Sequence, residues 1–221
     1  MHPRALYDGP MAEGLRERKK RQTRQYLSDV ATGLFLERGF DAVTIAEIAR
    51  AADVSVNTVY NYFPTKEDLF LDRSQGVVER LSRYVRGRDK GESAADAVLR
   101  ELRVQVEGVS PTVGLMEGYE RFMRVIEGAD SLKARLWHIQ QEALQHLEGT
   151  LEEECGTEVR TARLVAGQLS WVHGTLMAYI GGEMVAGRKA AEVSRDALVL
   201  LDDIEGLLGE AVLNYARRAA E

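Results

Sequence analysis

Apolar residues recur three and four positions apart along most of the chain, and no stretch shows the strict apolar/polar alternation of a half-buried strand. That period predicts helices throughout. From Arg18 to Arg38, Leu27, Val30, Ala31, Leu34 and Phe35 fall on one side, and Gly39 closes the run. Thr44, with Glu47 three residues later, is a capping box: the hydroxyl accepts from one orphan N–H of a first turn and the carboxylate accepts from another. Ile45, Ile48, Ala49 and Ala52 then share one face of a helix of about two turns. Asp53 stands where the chain must turn, and Asp tolerates a left-handed backbone. Ser55 caps a second short helix in which Val59 and Phe63, with Val54, face inward. Asn57, Tyr60, Asn61 and Tyr62 are left on the other side. Pro64 ends that helix, and Thr65 with Asp68 opens the next.

Further along, Leu69, Phe70, Val77, Val78, Leu81 and Val85 predict a connecting helix from Thr65 to about Arg86, followed by a polar loop from Gly87 to Gly91. A helix from Ser93 to Glu107 carries Val98, Leu102 and Val106. Ser110 and Pro111 supply a start signal for another, with Leu115, Met116, Tyr119, Phe122, Met123 and Ile126. One more starts near Ser131. Two long helices finish the chain, from about Thr157 to Val185 and from about Ser194 to Arg217. In the last, Leu198, Leu200, Leu207 and Val212 add to Ala197, Leu201, Ile204 and Leu208, a band wider than one packed face requires. A two-fold four-helix bundle built from two copies accounts for it. Residues 1–15, with Pro3, Gly9, Pro10 and Gly14 and no periodicity, are expected to be disordered.

Composition narrows the class. At 221 residues, 45% apolar and 29% charged, the chain can bury a substantial core. A single cysteine, Cys155, excludes an internal disulfide and a cysteine-rich zinc site. Neither a membrane-spanning apolar run nor a signal-peptide core is found, so a cytoplasmic protein is expected. The net charge of −6 is unevenly spread: residues 1–66 carry +2 and the remainder −8. Arg16, Arg18, Lys19, Lys20, Arg21 and Arg24 lie close together with only Glu17 opposing them, an arrangement that attracts phosphates and releases counterions.

Two short helices joined by a tight turn, the second presenting amides, hydroxyls and phenols, suit a major groove. Asn pairs two-pronged with adenine, Val and Tyr touch thymine methyls, and Ser, Thr, Tyr and Lys hold phosphates. The stretch resembles the DNA-binding domain of the TetR family of transcriptional regulators, of usual form T-x-x-x-I-A-x-x-A-G-V-S-x-G-T-x-Y-x-Y-F-x-x-K-E-x-L. Thr44, Ile48, Ala49, Ala52, Val54, Ser55, Thr58, Tyr60, Tyr62, Phe63, Lys66, Glu67 and Leu69 carry the match. Asp53 and Asn57 stand where the family often has Gly, and Asn57 adds an amide to the outward face. The DNA contacts expected are Lys19, Arg24, Thr44, Ser55, Val56, Asn57, Thr58, Tyr60, Asn61, Tyr62 and Lys66. The resemblance implies an all-α chain: a three-helix helix-turn-helix domain over residues 16–66, then a helical ligand-binding and dimerisation domain over 67–221. It also implies a homodimer, formed through the last two helices, on a palindromic double-stranded operator.

Met116, Tyr119, Phe122, Met123, Trp137, Trp171, His173 and Met177 form an aromatic and Met-rich set suited to line a small-molecule pocket. The family resemblance is the main reason to expect an effector there, one that releases DNA by favouring a conformer with badly spaced recognition helices. The rival reading is a TetR-like DNA-binding or architectural factor that answers to no ligand. His138, Glu142 and His146, four residues apart in turn, could reach one metal from one helix, but a solvated face explains them better, and no cofactor is expected. No phosphate-cradling Gly loop or nucleophile elbow is present, and His2, His138, His146 and His173 are the only imidazoles, so the chain is not expected to be an enzyme.

Overall fold

The computed structural model describes residues 14–72, 75–155 and 159–219, and among these no strand occurs. Most of the expected disordered segment, residues 1–13, lies outside them. The chain divides into two compact units, one up to Phe70 and one from Leu71 onward.

The first unit contains α1 (Leu15–Arg38), α2 (Ile45–Ala51), α3 (Val56–Tyr62) and α4 (Lys66–Phe70). Its core follows the predicted stripes: Leu27, Ala31 and Phe35 of α1, Ile48 and Ala49 of α2, Val59 of α3 and Phe63 after it are buried. Phe35 lies 4.9 Å from Phe40 and meets Phe70 edge-on at 5.7 Å between ring centroids. Each such pair adds about 0.5–1.5 kcal/mol beyond the area it buries. The Ser28 hydroxyl donates to the Leu69 carbonyl at 3.0 Å, satisfying an orphan acceptor at the end of α4. One expectation changes: α1 begins at Leu15 and not at Arg18, so the whole basic run from Arg16 lies within its first turns.

The second unit contains α5 (Gln75–Val78), α6 (Arg80–Arg86), α7 (Ala94–Glu107), a 3-10 turn (Pro111–Val113), α8 (Tyr119–Glu127), α9 (Asp130–Cys155), α10 (Val159–Val185), α11 (Ala190–Leu207) and α12 (Glu210–Leu213). Its core packs α7, α10 and α11 together through Val98, Leu102, Leu169, Leu176, Ile180, Ala197, Leu201 and Ile204, among others. Ser93 opens α7 with a capping box, its hydroxyl accepting from the Asp96 N–H while the Asp96 carboxylate accepts from Ser93 N–H. Capping of this kind contributes about 1 kcal/mol.

Three predicted helices are interrupted. The connector from Thr65 to Arg86 is α4, α5 and α6 in succession, because the polar stretch containing Gly76 offers no continuous apolar face between Leu71 and Val77. The helix expected to run from Ser110 through Ile126 is a single 3-10 turn stopped at Gly114 (φ 86°), and α8 starts only after Gly118 (φ 78°). Both glycines hold left-handed backbone that a side chain would resist. The last helix breaks at Leu208, which is extended, with Gly206 and Gly209 on either side. It also starts earlier than expected, since Ser194 lies inside α11, its buried hydroxyl donating to Val106 O at 2.7 Å. The expected start at Thr157 of the preceding helix falls outside the described residues.

Candidate nucleic-acid interface and effector region

The turn between α2 and α3 is built as its residues require. Thr44 Oγ1 accepts from Glu47 N–H at 3.2 Å, and the Glu47 carboxylate accepts from Thr44 N–H at 2.8 Å. Arg38, at the end of α1, adds a 2.7 Å ion pair to the same carboxylate. That guanidinium, with the Thr44 N–H and hydroxyl, holds Glu47 down to about 2. Asp53 takes φ 54°, the left-handed conformation anticipated for it, and Val54 N–H returns to Ala49 O at 2.9 Å. Ser55 Oγ then accepts from Thr58 N–H at 3.0 Å and bonds the Thr58 hydroxyl at 2.8 Å.

This geometry fixes which side of α3 faces solvent. The helix has seven residues, about 10 Å, and Val59 with Phe63 anchors it. Asn57 and Asn61 are exposed, Val56 is 39% exposed and Tyr60 50% exposed. Packing therefore does not account for Val56 and Tyr60. Thr44 and Ser55 are exposed at the two helix starts, whereas Thr58 and Tyr62 are partly buried. An unengaged helix carrying two amides, a phenol and a valine methyl face has the shape and chemistry to read base edges.

Three expected contacts differ in character. Lys19 is exposed on the second turn of α1. Arg24 is partly buried, with its guanidinium 4.3 Å above the Phe63 ring and donating to the Tyr62 carbonyl at the end of α3. It positions α3 from behind. Lys66 likewise sets its ammonium 4.3 Å over the Phe40 ring. Arg24 and the Arg38–Glu47 pair act across 38 and nine residues, so no local spacing announces them.

Residues 27–72 match the family described as bacterial regulatory proteins, tetR family. Among curated proteins, the chain is 31% identical over 130 residues to the HTH-type transcriptional regulator TcmR of Streptomyces glaucescens, covering 57% of each chain. The chain carries the N-terminal domain of the TetR family of transcriptional regulators. To the HTH-type transcriptional regulator LuxR of Vibrio harveyi the chain is 42% identical over 62 residues, which is 28% of its length and 30% of that protein's. It thus spans little more than half of the first relative and less of the second. Two solved structures share its fold: NalD, a secondary repressor of the MexAB-OprM multidrug efflux pump in Pseudomonas aeruginosa, and GusR of Salmonella enterica. NalD has a TM-score of 0.57 at 20% identity, covering 86% of this chain and 98% of its own. For GusR the values are 0.52, 19%, 90% and 99%. Both curated relatives are transcriptional regulators by name.

In the second unit the expected effector residues separate into two groups. Met116, Tyr119, Phe122, Met123, His173 and Met177 are partly buried. Tyr119 lies across two glycines: a Cβ on Gly114 would come within 3.0 Å of its ring, and one on Gly181 within 3.3 Å of its hydroxyl. Burial raises its phenol above the usual value. Trp137 and Trp171, by contrast, are 58% and 49% exposed, and do not line the interior of this unit. On α9 the buried stripe is Leu132, Ile139 and Leu147, and on α10 it is Leu169, Val172 and Leu176; each tryptophan falls between stripe positions. His138, Glu142 and His146 do not converge: His146 Nδ1 bonds the Ser82 hydroxyl at 2.8 Å, and Glu142 accepts from Arg135. Among the described residues no three His, Cys, Asp or Glu side chains are grouped to hold a metal, and no helix is long and apolar enough to cross a membrane.

Sequence reading passed over Arg80. It is buried on α6, donating to the Thr112 carbonyl at 2.9 Å and lying 3.5 Å from His173 Nε2. Its place beside Val77, Val78 and Leu81 was the signal, a cation inside an apolar stripe.

Proposed function

We propose that the chain is a ligand-responsive repressor that binds a palindromic DNA operator as a homodimer and is released by a small organic effector. The observation that carries this reading is the outward face of α3, where Asn57, Tyr60 and Asn61 stand in solvent on a helix capped at Ser55 and anchored by Val59 and Phe63. Asn57 and Asn61 read bases. Val56 and Tyr60 touch thymine methyls, and Thr44, Ser55, Thr58 and Tyr62 hold the phosphates on either side. Lys19 attracts the backbone. Arg24 orients α3, and Lys66, its ammonium over the Phe40 ring, meets the DNA backbone. A DNA-bound role in a bacterial cell agrees with a cytoplasmic protein.

Dimerisation is supported by what α10 and α11 leave uncovered. Leu164, Gly167, Trp171, Gly174, Ala178, Gly182 and Val185 follow one another down an exposed side of α10, and Leu207 of α11 is 77% exposed. Small residues along such a stripe let a second helix approach closely, and Leu164 and Trp171 supply area to bury. Two α3 helices are then held about one DNA turn apart, a separation a single chain cannot provide. The effector acts by differential affinity: it favours the conformer in which that separation is wrong, and the change passes along the chain after Lys66. NalD and GusR share only the fold at this level of identity, so no effector is transferred from them. The test is light scattering on the chain with and without an operator duplex. Two chains per duplex are expected; one chain per duplex contradicts the reading.

A further inference from the structure

Arg80 is 9% exposed, and no carboxylate among the described residues pairs with it. A charge largely withdrawn from water without a counter-charge is unfavourable, and because no sealed side-chain nitrogen or oxygen lacks a partner among the described residues, the unbonded nitrogens of Arg80 remain open to an incoming acceptor. The donors around it outnumber the acceptors. Arginine only donates, so the contact at 3.5 Å makes Nε2 of His173 the acceptor and puts the imidazole proton on Nδ1. Burial, and then the positive charge of Arg80, pushes His173 down to about 4, which keeps the ring neutral near pH 7. Tyr84 lies one turn beyond Arg80 on α6, and burial raises its phenol, so it keeps its proton as well. Beyond the bond to Thr112 O and the contact with His173, the Arg80 fork, the His173 Nδ1–H and the Tyr84 hydroxyl meet no acceptor among the described residues. Met177, one turn beyond His173 on α10, packs against the apolar core nearby.

We propose that Arg80, His173 and Tyr84 form the anion-binding end of the effector site, and that the effector is a small organic acid. Its carboxylate accepts two parallel hydrogen bonds from the Arg80 fork and further ones from His173 Nδ1–H and the Tyr84 hydroxyl, while an apolar body lies toward Met177. The assignment rests on the ligand-responsive reading above and narrows it to a class of ligand. It also explains a neutral histidine beside an arginine: a carboxylate there would neutralise one buried cation, where a protonated ring would have made two.

The test uses the full-length protein with benzoate, 4-phenylbutyrate and hexanoate, each paired with its methyl ester. Binding is read by thermal shift and, separately, by release of an operator duplex. At least one acid is expected to raise the melting temperature by about 2 °C or more while its ester does not, because only the acid supplies the counter-charge. Arg80→Met is expected to abolish that shift and, without ligand, to melt at or above the parent temperature, since a buried unpaired charge is replaced by an apolar chain of similar length. If Arg80→Met fails to fold, or melts lower without ligand, Arg80 is a structural residue and the proposal falls. Arg80→Lys keeps the charge and loses the fork; affinity for the acid is expected to drop at least tenfold, and an unchanged affinity overturns the proposal. Equal shifts from acid and ester, or no shift from any acid, overturn it too. An acid that binds through Arg80 without releasing DNA leaves this site standing and removes the release mechanism. An ester that releases DNA while no acid binds does the reverse.

Discussion

Arg24 and Lys19 sit five residues apart on α1, carry the same charge, and are expected to respond oppositely to removal of that charge. Arg24 lies 4.3 Å over Phe63 and donates to the last carbonyl of α3, so Arg24→Met removes a cation–π contact and a charged hydrogen bond that fix the far end of the recognition helix. The first contributes about 0.5 kcal/mol at a partly exposed site and the second, at the low end for a charged donor, about 1.5 kcal/mol, for a total of about 2 kcal/mol. The change acts locally, so the amides of residues 55–63 should exchange with deuterium about thirty-fold faster by native-state hydrogen exchange. DNA affinity should fall at every duplex, because α3 is less well placed. The slope of log affinity against log salt should stay unchanged, because no phosphate contact is lost. Lys19 is exposed, and Lys19→Met should leave exchange alone and flatten that slope by about 0.9, the signature of one phosphate contact. A flatter slope for Arg24→Met together with unchanged exchange would show that Arg24 binds phosphate, and would refute the positioning argument.

Other consequences follow from the same geometry. Asn61→Ala should alter which bases are preferred in a binding selection, whereas Lys66→Ala should weaken all duplexes alike and lower the salt slope; the same base preferences in Asn61→Ala as in the parent would contradict its assignment. Glu47 is depressed in the folded state to about 2 from 4.5, so its contribution to stability is present above about pH 4.5 and is lost as pH falls toward 2. Unfolding followed by circular dichroism across that window should show a shallower acid loss in Glu47→Gln than in the parent, and an identical profile would remove the Arg38–Glu47 pair from the account. Replacing Leu164 and Leu207 by Asp should shift the chain from dimer to monomer in sedimentation, leaving α-helix content intact. A persistent dimer would mean that the exposed sides of α10 and α11 are not the interface.

What could be read in advance depended on the distance over which each signal acts. The caps at Thr44 and Ser55 involve partners three residues away, and the sequence shows them directly. The left-handed turn at Asp53 and the inward pair Val59 and Phe63 were legible for the same reason. Helix continuity was harder. Apolar spacing carried the eye from Leu69 to Val85 and from Leu115 to Ile126, but an apolar stripe is blind to a left-handed residue, and Gly114 and Gly118 each stop a helix. Residue type also overstated the effector set. Trp137 and Trp171 look like pocket lining by chemistry, yet their helical phase places them opposite the buried stripes of α9 and α10. Arg80 and Arg24 were passed over or given another role because their partners lie 32 to 93 residues away, beyond any local pattern.

The central claim is that two copies of α3 read bases at a fixed separation. Selection of bound duplexes from a random pool, with the purified chain at moderate salt, tests it most directly. The account predicts an enriched inverted repeat whose half-sites are about one helical turn apart, or a whole multiple of it, degraded in sequence but not in symmetry when Asn57 or Asn61 is replaced by Ala. Enrichment of a single non-repeated site, or of no sequence at all, would contradict it.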